Sequence, residues 1–413
     1  MVKRGEFTFR ALEKLAEYFF LAAFFSLPFS IALLEIFLSI SFVAWFCYKI
    51  GRKEPLCFNP AVFVITGFFI IISCVSAFGS GYPSLSARGI VKIIKYVLVM
   101  IVTMDLFRNT GRLKGLLYIA ALGLALVVAD SIVQRVHGEE LIRNLPLHYV
   151  DTQVRLTGPF HAYGLLGAYL LGVLPIVLVM ITGVKKQKMN PWMSAFWIAL
   201  FIVSVYVLYK THSRGVWLAF LASWIVYALL TQSKWMIVIF ALTIVSVPFV
   251  LPSNALIHVD IERKEQSLIE RYHLWIRAVQ VIQKRPLFGC GINTYSKNYA
   301  KFDEQKNWRV PGYYAHNGYL QLAAETGLIS LFLFLLIIWK AVQSGYTALQ
   351  RSVSQRKPFI ASVLAGLTGL LLQAGVDTTL HNLQSAVLIW FFLGLLFALG
   401  SGPELEMAPW KQN

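Results

Sequence analysis

The stretch PGYYAHNGYLQLAAETGLISLFLFLLIIW, residues 311–339, passes within a few residues from a polar, aromatic loop into a long apolar run. A run of this kind is read as a membrane-crossing helix. His316 stands at the join, on the last polar turn. An imidazole at the water boundary exchanges protons while the helix below holds it in place, so His316 is a candidate reactive group. The simpler reading is that His316 and Asn317 cap and anchor an interfacial helix end. This stretch alone leaves both readings open.

Composition extends the membrane reading to the whole chain. Of 413 residues, 57% are hydrophobic and 14% charged, and the mean hydropathy is +0.65. Those values lie outside the range of soluble globular domains and inside that of polytopic membrane proteins. Windows of about 20 residues mark about twelve spans, near 15–31, 33–50, 60–78, 88–106, 115–136, 158–182, 191–209, 215–231, 235–252, 317–339, 359–376 and 384–400. The expected fold is therefore an all-α polytopic membrane protein. It forms one membrane domain over 1–413, with one large outer insertion, 253–315, between the ninth and tenth spans. The first two spans form either a tilted pair or a re-entrant hairpin. Glu13 and Glu17 interrupt the apolar start, so the N-terminus reads as an uncleaved first helix rather than a signal peptide.

Short basic segments alternate on one side: Lys3 and Arg4, Arg52 and Lys53, Arg112 and Lys114, Lys185 and Lys186, Arg356 and Lys357. The positive-inside rule makes that side cytoplasmic, with both termini there, and turns His316 outward. The net charge is +17. With no basic stripe or aromatic platform free of the membrane, nucleic acid is excluded as a partner, and phosphate-bearing lipid fits the charge better. The four cysteines have no metal-ligand or disulfide spacing.

Four groups of cations are candidates for binding an anion. Arg88, Lys92 and Lys95 fall at i, i+4 and i+7 in the fourth span and share one helical stripe. Buried cations mark a functional cavity, unless Arg88 snorkels and Lys95 pairs with an acid such as Asp130. Arg155 precedes the sixth span and Arg214 the eighth, each at a helix N-terminus where backbone donors add to a guanidinium fork. In the insertion, Leu268, Tyr272, Trp275, Val279 and Ile282 form one face of an amphipathic helix that Pro286 and the glycines of PLFGCG end. Arg271 shares the Trp275 side and is expected to point toward the bundle, with Arg277 opposite and solvated. Tyr319, one turn below His316, completes the substrate-binding set. Glu325 lies nine residues past His316, about 14 Å along the helix and on nearly the opposite face. It is expected to be paired inside the bundle rather than to orient the imidazole.

The segments RLTGPFHAYG, THSRGVWLAF, RYHLWIRAVQVIQKRPLFGCGINTYS and HNGYLQLAAETGLISLFLFL, in that order, resemble the bacterial O-antigen ligase and polymerase superfamily, most closely the ligases. The resemblance spans about 155 to 335. Family members often carry Pro-Asn where this chain has Ala162 and Tyr163, so His161 is left out of the catalytic set. The resemblance implies a GT-C type glycosyltransferase at the outer, periplasmic face of the bacterial inner membrane. Its donor would be a glycan on undecaprenyl diphosphate and its acceptor a lipid A core sugar. By motif position the essential histidine falls on His316 and the essential arginines on Arg214 and Arg271, with Arg155 a further carry-over. No cofactor and no metal are implied. A polymerase or a protein O-oligosaccharyltransferase would use the same residues. A transporter of anionic lipid-linked glycan is the reading from another class.

Overall fold

The computed structural model describes residues 2–55, 59–150, 153–182, 190–233, 261–299, 314–353 and 356–401. Among the described residues the elements are helices, apart from one hairpin. α1 (Val2–Ser26) and α2 (Ile31–Arg52) pack against each other as a helical pair. They are followed by α3 (Pro60–Phe78), α4 (Pro83–Leu106) and α5 (Leu113–His137). β1 (His148–Val150) and β2 (Gln153–Arg155) then pair antiparallel, with His148 opposite Arg155. α6 (Tyr163–Thr182), α7 (Pro191–Lys210) and α8 (Arg214–Thr231) come next. α9 (Ile261–Lys284) and the single turn α10 (Tyr295–Asn298) belong to the insertion. α11 (Gly318–Arg351), α12 (Lys357–Ala374) and α13 (Leu383–Ser401) complete the bundle.

Among the described residues, nine helices are long and apolar enough to cross a membrane: α2, α3, α5, α6, α7, α8, α11, α12 and α13. Two further expected spans are helices that carry charge, α1 with Glu13 and Glu17 and α4 with Arg88, Lys92 and Lys95. The remaining expected span, 235–252, lies outside the described residues, as do 300–313 of the insertion.

α13 and α12 form the centre. α13 is buried along most of its length, with α4 and α11 packed on it, while α6 and α8 pack on α12. Interior polar groups tie helices together, since an unpaired donor costs more in hydrocarbon than in water. The Ser223 hydroxyl donates to the Ala365 carbonyl at 2.7 Å, and the Gln384 amide to that of Leu27 at 2.7 Å.

One irregularity places the insertion. Inside α11, Gly327 takes φ 87° and ψ 167°, which breaks the helix. The segment Pro286–Gly291 runs along the break: Leu328 N donates to the Pro286 carbonyl (2.8 Å), Cys290 N to Ala324 (2.9 Å) and Gly291 N to Glu325 (3.0 Å). A Cβ on Gly327 would overlap the Leu287 carbonyl, and one on Gly289 the Glu325 carbonyl. The glycines of PLFGCG, expected to end a helix, also allow backbone to touch backbone.

Candidate functional site: a histidine and an aspartate at three helix starts

α11 begins with a side-chain cap. The Asn317 side chain accepts from Tyr319 N (3.1 Å) and Leu320 N (3.0 Å), which satisfies two of the open donors of the first turn. Capping therefore belongs to Asn317 rather than to His316. His316 itself has φ 47°, in the left-handed region that a non-glycine residue occupies only where its surroundings hold it. The next residue is fixed by Gly318 N donating to the Asp377 carbonyl at 3.1 Å. The side chains follow: His316 Nδ1 stands 3.7 Å from Asp377 Oδ1, each about one-third exposed. That is ion-pair range, and longer than a hydrogen bond.

Asp377 lies in the turn between α12 and α13. Burial would raise its pKa. His316, the Thr378 amide (2.7 Å) and the charge of Arg271 outweigh burial and hold the carboxyl below the usual range. The same turn touches the starts of three helices. Its Asp377 carboxylate lies against Gly164 of α6, Val376 against Gly215 of α8, and the Asp377 carbonyl takes the first amide of α11. Three positive helix ends thus converge beside the His316 and Asp377 pair.

The turn's other end is anchored by Glu325. His381 Nε2 is 3.3 Å from Glu325 Oε2. The fully buried carboxylate also accepts from Asn293 N (2.8 Å), Tyr295 N (3.1 Å) and Gln321 Nε2 (3.3 Å). Glu325 is paired inside the bundle, as expected, and its histidine is His381 rather than His316. Neither Asp377 nor His381 was singled out in the sequence. The available signal was the polar run DTTLHN between two apolar spans, on the side assigned to His316.

The expected cations fall into two groups. Arg271 is half-buried on α9, and its charge is felt at Asp377. Arg214 is exposed as the first residue of α8, next to Gly215. Arg155 closes β2, with its guanidinium 4.6 Å above the Tyr163 ring. On the α4 stripe, Lys92 lines one cavity with Gly318, Glu325 and His381. Arg88 is exposed, Lys92 reaches Asn293 Oδ1 at 3.5 Å, and Lys95 is ion-paired to Glu35 of α2 rather than to Asp130. Asp130 instead accepts from Leu141 N at 2.8 Å. The Tyr319 hydroxyl donates to the Leu371 carbonyl of α12 at 2.8 Å.

α9 differs from the expected stripe. Tyr272 is 61% exposed and Val279 39%, whereas Leu274, Arg277, Ala278, Val281 and Ile282 are buried. The small residues Ala315, Ala323 and Ala324 cluster with Ala278 and Val281, and the stripe that includes Ala278 turns inward. Arg277 is carried with it to 8% exposure and donates to Gln280 Oε1 at 2.9 Å, so it is not solvated. The side chain of Leu268 lies outside the described residues. His161 is held by Arg143, whose Nη1 is 2.9 Å from its Nε2, in a staple that also bonds the Phe29 carbonyl at 2.9 Å.

The nine long apolar helices among the described residues are those of a multi-pass membrane protein. Residues 198–335 match the O-Antigen ligase family, a segment that holds Arg214, Arg271 and His316. The chain is also 23% identical over 330 residues to the exopolysaccharide production protein ExoQ of Rhizobium meliloti (strain 1021), covering 76% of this chain and 71% of that relative. These matches support placing the chain in the O-antigen ligase and polymerase superfamily, with an O-antigen ligase- or polymerase-like function.

Proposed function

We propose that the chain is a glycosyltransferase of the bacterial inner membrane that moves a polysaccharide from undecaprenyl diphosphate to a lipid A core sugar hydroxyl. The observation that carries the reading is the His316 and Asp377 pair, set where α6, α8 and α11 begin. The acceptor hydroxyl is a weak nucleophile. As its oxygen attacks the anomeric carbon, its proton passes to His316, and Asp377 stabilises the imidazolium that forms. The bond from the anomeric carbon to the diphosphate oxygen breaks with inversion, and its electrons leave on the carrier diphosphate. That charge is met by Arg214 and Arg271, assisted by Arg155 and the helix ends. Arginines can supply this stabilisation without a metal ion. Lys92 and Arg88 would steer the lipid headgroup from the α4 side. Both termini would be cytoplasmic, with the site facing the periplasm.

Likeness to a relative named for exopolysaccharide production favours one second reading, a polymerase whose acceptor is another carrier-linked unit. Donor chemistry is common to both. Purified full-length chain is given carrier-linked glycan with core lipopolysaccharide, with a second carrier-linked unit, or with a hydroxyl-bearing protein, and the arm whose product grows identifies the acceptor. If no arm grows while carrier-linked glycan crosses vesicle membranes, the protein is a transporter and the proposal fails.

A further inference from the structure

Beside the Asp377 turn lies a second constellation, of which the proposed chemistry uses only Arg155. Leu156 N donates to the Lys210 carbonyl at 3.0 Å, which docks the β1–β2 hairpin against the end of α7. There Tyr209 and Trp217 stack at 5.3 Å with 13° between their planes, both half-buried. His212, held at φ 49°, closes the turn 5.7 Å from the Tyr209 ring. Lys210 Nζ sits 5.3 Å from the Tyr209 centroid, and Arg155 covers Tyr163.

This ledge is basic among the described residues. Among the described residues, Arg135, Arg155, Lys210 and Arg214 have no carboxylate within ion-pair range. The Arg155 Nε is buried and makes no hydrogen bond, an arrangement that costs free energy unless a ligand supplies the acceptor. Burial, then the charges of Lys210, Arg155 and Arg135, hold His212 below the usual histidine range. Aromatic faces carry negative electron density, which suits the C–H face of a pyranose ring, while the cations suit an acid group on that sugar.

We infer that the ledge formed by Tyr209, Trp217, Lys210 and Arg155 is a binding subsite for an acidic sugar unit, a uronate or a phosphosugar, of one of the two glycans. The inference rests on the glycosyl-transfer reading and adds a saccharide site distinct from the diphosphate contacts of Arg214 and Arg271. Tyr209 and Trp217 cover each other's facing surfaces, so the sugar ring packs against the outside of that stack, and its acid group is held by Lys210 and Arg155. His212 continues into Ser213 and Arg214, so a glycan on the ledge leads along the chain to the start of α8 and its neighbouring Asp377 turn.

The test is calorimetric titration of the full chain in detergent with tri-galacturonate and, separately, with neutral maltotriose. Tri-galacturonate should bind saturably and more tightly than maltotriose. Lys210→Gln and Tyr209→Leu, with unfolding temperatures matching the parent, should each weaken it about tenfold or more. Absence of saturable binding, equal binding of the two sugars, or unchanged binding by both variants overturns the inference and leaves the rings as an interfacial belt. In transfer assays Tyr209→Leu should raise KM for one glycan, and whether that is the acceptor or the carrier-linked donor identifies which one occupies the ledge. His316→Ala should bind tri-galacturonate as the parent does. Its retained transfer would overturn the reaction while leaving the ledge standing; ledge variants that bind and transfer normally would do the reverse.

Discussion

Asp377 and His316 face each other across 3.7 Å although one ends the α12 side of a turn and the other precedes α11. A carboxylate behind an imidazole fixes which ring nitrogen carries the proton and stabilises the cation formed when the other nitrogen takes one up. Asp377→Asn keeps the shape and removes the charge. We expect kcat to fall by ~10- to 100-fold, less than on loss of the base, with donor KM little changed. Initial rates of transfer against donor concentration check this; an unchanged kcat would detach Asp377 from the reaction.

The depressed pKa of Asp377 fixes the sign of its pH effect. Its folded value lies below the unfolded one, so its contribution to stability is full above the ordinary carboxylate range and is lost as pH falls through the folded value. Detergent-solubilised parent protein should therefore lose more stability than Asp377→Asn on acidification below about pH 4. Thermal unfolding of both from pH 7 to pH 3 reads this, and parallel curves would contradict it.

The Glu325 node should govern folding rather than chemistry. Glu325→Ala leaves His381 and the amides of Asn293 and Tyr295 without their buried acceptor, a loss of about 3–5 kcal/mol. Gly327→Ala forces a Cβ into the Leu287 carbonyl at a left-handed backbone position, at a cost of about 1–3 kcal/mol or more. Both should lower the unfolding temperature markedly, and normal stability in either would contradict the threaded break.

Lys95 and Glu35 provide a contrast with the rim arginines. Lys95→Gln should lower stability, and adding Glu35→Gln should restore part of it, because the double change leaves no lone charge between α2 and α4. Arg214→Ala and Arg271→Ala should instead weaken donor binding or transfer, and lysine at either position should rescue poorly, because it lacks the planar fork. Titration with carrier-linked glycan separates the two classes.

Much of this was legible in the sequence, and the losses have identifiable causes. Helix existence followed from hydropathy, which is why α2, α3 and α5 to α8 fall close to their expected spans. His316 and Arg214 stood out as polar groups at the ends of apolar runs, and Arg271 by its place on an amphipathic helix and in a family motif. Asp377 and His381 did not, because their partners lie on another helix and pairing across a fold leaves no local pattern. On α9, periodicity marked apolar residues such as Tyr272 and Val279 but could not tell which stripe met protein. The deciding feature was close packing of Ala278 near Ala323 and Ala324, where small residues carry little hydropathy signal. The β1–β2 hairpin has strands of three residues, too short for alternation to show.

The most direct measurement is transfer by His316→Ala, in protein that unfolds like the parent and still binds carrier-linked glycan. The general-base account predicts a fall in kcat of about 10²- to 10⁴-fold with donor affinity kept. Transfer at the parental rate would contradict it.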